Sequence, residues 1–203
     1  MSCIIPPVHP NPLLHNAIIE KLQQDISACE WIDKVYPLAI PGERQVGDNR
    51  ILVPVIYGQE QEGKNDYIEL FPDGEIRALS FFEFDAGTFE HDHKENEDTF
   101  QISLIICGNL KRIADRTYDF TDELIAEAMK KILEGNFSND IIRITPSIDR
   151  NNIFSKYGYS FEQLKMFMFP YFAFKLTWSM TINSNLDCVP DASFNQSFSP
   201  PCP

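Results

Sequence analysis

The run Glu90-His91-Asp92-His93-Lys94-Glu95-Asn96-Glu97-Asp98 is the one concentration of metal-capable side chains in this chain. Imidazole and carboxylate groups bind zinc and other divalent ions. The spacing argues against a closed site. His91 and His93 are two residues apart, and no further His or Cys stands nearby to complete a tetrahedron. A solvated loop between two strands explains the run more simply, so no metal ligand is assigned. A small metal-dependent enzyme built on His91 and His93 stands as an alternative.

Nucleophilic catalysis needs a Ser or Cys beside a His and a carboxylate. The chain has no Gly-x-Ser-x-Gly elbow, and none of its cysteines sits in a protease-like context. The nine glycines are scattered, so no phosphate-cradling loop is present. No catalytic, cofactor-binding or metal residue is assigned, no cofactor is implied, and the expectation is a protein that is not an enzyme. The five cysteines (Cys3, Cys29, Cys107, Cys188, Cys202) are far apart and odd in number. That is neither a zinc pattern nor a disulfide framework, and it points to a reducing, cytoplasmic setting. Only Cys188 and Cys202, in an oxidised tail, are placed to pair.

The formal net charge is −13. It argues against an outer surface that grips phosphate backbones, and against binding to anionic membranes. It suits plain solubility, or a repulsive surface past which a polyanion slides. Met1 to Pro10 holds no basic region followed by an apolar run. The densest apolar run, Met166 to Phe174, contains Pro170 and is too short to span a bilayer. Aromatic residues make up 12% of the chain, with 16 phenylalanines, which is enough apolar material for one core.

The elements follow from periodicity. After Pro170, the residues Phe172, Phe174, Leu176, Trp178, Met180 and Ile182 alternate with Ala173, Lys175, Thr177, Ser179 and Thr181. A period of two predicts a strand with one buried and one solvated face. Phe100 to Cys107 reads as another, its second face changing from polar to apolar. Ile51 to Tyr57 reads as a strand that Pro54 places at an edge. Tyr67–Phe71 and Ile76–Phe84 flank the turn Pro72-Asp73-Gly74 and predict a hairpin. Residues 37–50 and 85–99 read as loops, the second acidic. Ile141, Ile142 and Ile144 suggest a short strand.

Helices are predicted from Pro12 to near Cys29, with Asn11 as cap, and from a Thr121 cap to Gly135, with Phe120 and Ile125 as a staple. A short helix is predicted over 161–168. The aromatic-rich segment Tyr157, Tyr159, Phe161, Phe167, Phe169, Tyr171 and Phe172 reads mainly as core, and any exposed member would mark a protein contact. The fold class is α+β: a mostly antiparallel four- to five-stranded sheet packed against two to three helices. Residues 1–12 form an extended arm, 13–183 a single domain and 184–203 a Pro/Ser/Asn-rich tail.

The order helix, Tyr36-Pro37, Pro54-Val55-Ile56-Tyr57, aromatic hairpin, long strand, helix and terminal Phe/Trp-rich strand resembles bacteriophage tail-terminator (tail-completion) proteins of the prophage type. The likeness spans roughly residues 13–182. It implies a structural protein that forms a homo-oligomeric ring, commonly a hexamer, capping the tail tube at the head–tail junction. The implied partners are further copies of the chain and the tail-tube and head-connector proteins. DNA would pass without specific binding, and no membrane is involved. The implied location is the cytoplasm during assembly and then the virion tail. The acidic run, the 139–160 stretch and the Pro/Cys-rich ends depart from compact members. A protein-binding module that uses an exposed sheet edge is the remaining alternative.

Overall fold

A computed structural model describes residues 12–61, 64–71, 75–92, 97–135, 147–151, 153–159 and 169–183. The elements run α1 (Pro12–Ser27), β1 (Lys34–Leu38), β2 (Ile40–Val46), β3 (Asn49–Gln61), β4 (Lys64–Glu69), β5 (Ala78–Asp92), β6 (Glu97–Asn109), α2 (Leu110–Ile113), α3 (Thr121–Glu134), β7 (Ser147–Asp149) and β8 (Tyr171–Asn183). The fold is α+β. A five-stranded sheet has the order β1-β5-β6-β8-β7, and a separate three-stranded sheet has the order β2-β3-β4. All pairings are antiparallel except β1 with β5.

The large sheet is buried on both faces because its strands carry apolar residues at both parities. On β5, Ala78 and Phe82 point to one core while Leu79 and Phe81 point to the other. On β6, Ile102, Leu104 and Ile106 share the first side, and Ile105 and Cys107 the second. α1 and α3 cover the first face, with Ile18, Leu22, Ile26, Leu124, Ile125, Ala128 and Ile132 buried against it. The small sheet and the 153–159 segment cover the second, with Val53, Val55, Leu70, Phe154, Tyr157 and Tyr159.

Pro12 opens α1, where its missing N–H costs no hydrogen bond. At the start of α3, Thr121 is the first helical residue rather than the cap, and its N–H and hydroxyl both donate to the Asp119 carboxylate. Phe120 occupies the cap position with its ring buried beside Leu124 and Ile125. Gly135 ends α3 against α1, where any side chain would run into the Asp25 carboxylate.

Several sequence expectations are corrected. The expected five-stranded, mostly antiparallel sheet is present, but a second, three-stranded sheet joins it, and the stretch 37–50, read as a loop, contains β2 and parts of β1 and β3. Pro54 sits in the central strand of the small sheet, not at an edge. Its carbonyl accepts from the Leu70 N–H at 2.8 Å, so its backbone polar groups point away from β2. Pro54 and Pro41 therefore face each other as a non-hydrogen-bonded pair, the register at which neither missing N–H breaks a ladder bond. The strands flanking residues 72–74 do not pair as a hairpin, since β4 joins β3 and β5 joins β1 and β6.

The described residues of the stretch 85–99 are strand and not loop. β5 and β6 continue through it, with an irregularity between Asp85 and Glu90, and pair again at His91↔Asp98 and Asp92↔Glu97. β8 keeps the predicted alternation, but its second face is buried at Ala173 and exposed only further along, at Ser179. The strand expected at 141–144, the helix at 161–168, the arm and the tail lie outside the described residues. None of the described helices is long and apolar enough to cross a membrane.

Candidate functional site

The second face of the large sheet is where polar chemistry enters the core. Sheet register lines up Glu83 of β5, Ser103 of β6, Thr177 of β8 and Ser147 of β7 in one row across four strands. The Ser103 and Thr177 hydroxyls are 2.8 Å apart and share a hydrogen bond. Glu83 is buried, flanked in sequence by Phe82 and Phe84, yet its carboxylate accepts from the Tyr157 hydroxyl and pairs with Lys156 Nζ at 2.6 Å.

A matching unit lies beside it on the small sheet. Glu69 of β4 accepts both contacts from one Arg44 guanidinium nitrogen at 2.8 Å, and accepts from the Tyr159 hydroxyl at 3.1 Å. Arg44 also lies over the Tyr159 ring, 5.9 Å from its centre. The two tyrosine rings are 6.2 Å apart. The Lys156-Tyr157-Gly158-Tyr159 segment thus hands one hydroxyl to each sheet. Gly158 lets it lie close: its N–H donates to the Leu52 carbonyl at 2.9 Å, and a Cβ there would meet Ile51 Cβ at 2.7 Å.

Burial raises the ionisation of both tyrosines far above the usual phenol range, and the Glu83 and Glu69 carboxylates raise it further. Both hydroxyls therefore remain protonated donors. Each phenol thus fastens a carboxylate that is already shared with a cation. Each carboxylate has a cation and a hydroxyl, which offsets the cost of taking it out of water.

The residues singled out from sequence are placed differently. His91 lies on β5 opposite Asp98, while His93 lies outside the described residues. Among the described residues no group of three or more His, Cys, Asp or Glu is placed to hold a metal. Cys29 and Cys107 are buried free thiols; burial pushes Cys29 up to about 11, helped by Glu127, and pushes Cys107 higher still. In the aromatic segment Tyr157, Tyr159 and Phe172 are core, whereas Phe169 is 42% exposed.

A cleft lined by Asp119, Arg150, Asn151, Tyr171, Phe172 and Ala173 lies near the start of α3. Arg150 is already held there by Asp119 and Asp122, each at 3.0 Å, so its charge ties β7 to α3. Sequence reasoning missed Glu83, Glu69, Arg44 and Lys156. The one local signal was a lone carboxylate inside Phe81-Phe82-Glu83-Phe84. The chain matches no family model, no curated protein and no solved structure.

Proposed function

We propose that this protein is a structural subunit of a phage tail or a prophage-derived tail-like particle, forming a ring that caps the tail tube at the head–tail junction. The observation that carries this reading is the ribbon at one end of the large sheet. Phe84, Phe100 and Trp178 are the last described core side chains there, with Phe84 and Phe100 in edge-to-face contact at 5.4 Å. Past them β5 runs on to Asp92, β6 begins at Glu97 and β8 ends at Asn183. We read these paired strand extensions as the part of the sheet that meets another molecule.

The order of helix, long strand, helix and terminal alternating strand agrees with the tail-terminator resemblance. The expected aromatic hairpin does not, since its two strands belong to different sheets. Partners on this reading are other copies of the chain, the tube and the head connector. DNA passes through the lumen, and acidic residues facing that lumen keep it from adhering.

Light scattering coupled to size exclusion, over a range of concentrations, tests the proposal. A closed oligomer of about six subunits at every concentration is the expected result. A concentration-independent monomer that also fails to bind tail tubes overturns it.

A further inference from the structure

Backbone parity fixes which way the polar groups of β8 point. The Leu110 N–H donates to the Pro170 carbonyl at 2.7 Å, one step past the register pair Asn109↔Tyr171. Bonded pairs recur at every second residue of an antiparallel ladder, and this register runs unbroken to Glu97↔Asn183. The even-numbered residues from Phe172 to Ile182 therefore turn their N–H and C=O groups toward β6. The odd-numbered ones turn theirs the other way. β7 covers two of these, Lys175 and Thr177. Ser179, Thr181 and Asn183 lie past its reach, and no further strand pairs with β8 among the described residues.

Two other edges of the molecule are guarded against such pairing. On β1 the Val35 carbonyl accepts from the Gln23 side chain at 3.5 Å, and Pro37 offers no N–H. On β2, Pro41 stands in a non-hydrogen-bonded pair, so its nitrogen lies on the outer edge and has nothing to donate. Proline and charge are the usual means of blunting an edge. From Trp178 to Asn183 β8 has neither: no residue there is proline or ionisable. The chain as a whole carries a net charge of −13, so its copies repel each other over most of their surface. An uncharged strip with unpaired backbone groups is where they can meet.

We infer that the outer edge of β8 beyond β7 pairs with the same edge of a second copy of this chain, antiparallel, about a two-fold axis at Thr181. Ser179 then faces Asn183 of the second copy, and Thr181 faces its own counterpart. Each such pair exchanges two backbone hydrogen bonds. The incoming strand takes the place beside β7, and the two large sheets become one. A two-fold contact asks only that the strip match itself, which an uncharged antiparallel edge does. So short a strip gives a pair that dissociates on dilution. The inference goes beyond the proposed ring, since the pair forms with or without one; where a ring forms, the same contact adds a two-fold axis to it.

The test uses the full chain. Thr181→Lys sets two ammonium groups opposite each other across the axis, and Thr181→Glu sets two carboxylates there. Each variant alone associates about tenfold more weakly than the wild type in sedimentation equilibrium, and their equimolar mixture regains the wild-type affinity. Thr181→Pro removes one outward N–H while leaving every bond to β6, and gives a similar loss. Thermal melts check that each variant is folded. Hydrogen exchange on the wild type needs no variant. The amides of Ser179, Thr181 and Asn183 gain protection as concentration rises, while those of Met180 and Ile182 are protected throughout.

Protection of Ser179, Thr181 and Asn183 in the dilute monomer means that the chain covers its own edge, and overturns the inference. A wild type that never associates overturns it too. If both charge variants still form a closed oligomer of about six with wild-type affinity, the edge contact fails and the ring stands. A wild type that stops at a dimer, lost in each charge variant and restored by mixing them, supports the edge contact without a ring.

Discussion

The two faces of the large sheet are held in different ways. The face under α1 and α3 is filled by aliphatic and aromatic side chains from Ile18 to Trp178. The face under the small sheet includes Cys107, Ser103, Glu83, Tyr157 and Tyr159, with two carboxylates bound by hydroxyls and cations. An apolar core tolerates many arrangements of similar volume, whereas a hydrogen-bonded carboxylate accepts only one. The helix face is held by apolar packing, and the hydrogen-bonded carboxylates of the other face fix where the second sheet sits.

Phe81 and Phe82 are adjacent, both fully buried, and belong to opposite cores. Either one changed to Ala costs roughly 3–5 kcal/mol, the largest effects expected here. Hydrogen exchange separates them. Phe82→Ala releases protection in α1 and α3, and Phe81→Ala in β2 to β4. Equal loss on both sides for either variant would mean that the faces are not independent.

Glu83→Ala, which strands the Tyr157 hydroxyl, costs about 2–3 kcal/mol in urea unfolding. Tyr157→Phe costs less, about 1–2 kcal/mol, because Lys156 stays with Glu83. A double-mutant cycle between them should show coupling, and purely additive losses would remove the fastening role. A third test is alkaline titration. Tyr157 and Tyr159 have raised folded values, while an unfolded tyrosine ionises near about pH 10. Their contribution is intact below that pH and is lost as pH rises above it. Two of the seven tyrosines should therefore ionise only as the protein unfolds, read as late growth of tyrosinate absorbance.

The smallest effect concerns Arg50 and Glu43, an ion pair at 3.3 Å with side chains 77% and 50% exposed. Arg50→Ala should lower the unfolding free energy by no more than about 0.5 kcal/mol. A larger loss would mean that the outer face of the small sheet is covered by something else.

The helix face was legible in the sequence because its signals are local. The stripe Leu124, Ile125, Ala128 and Ile132 marks α3 at helical spacing, and the alternation from Phe172 to Trp178 marks β8. The β6 pattern even foretold burial on both sides at Ile105 and Cys107. The other face was not legible. Pro37, Pro41, Gly42 and Gly47 read as loop punctuation, yet Pro41 is accommodated by pairing with Pro54, and Gly47 has the positive φ of 61° that a tight β2–β3 turn needs. Gly42 closely faces Val55, and a Cβ would meet its methyl groups at 2.7 Å. Glu83 meets Tyr157 from 74 residues away, and no window of sequence carries such a pairing.

β8 fits between β6 and β7, and it pairs with β6 from Glu97↔Asn183 to Asn109↔Tyr171. As the chain is synthesised, β5 and β6 emerge first as a hairpin, and the long inner edge of β6 then waits until β8 follows. The stretch that separates them, which holds α2, α3 and β7, makes this pairing non-local and slow, and an open apolar edge recruits other chains in the meantime. The step most exposed to aggregation in this fold is therefore the late arrival of β8, and a chaperone or a fast translation rate over 110–170 would protect the yield more than any further stabilisation of the finished core.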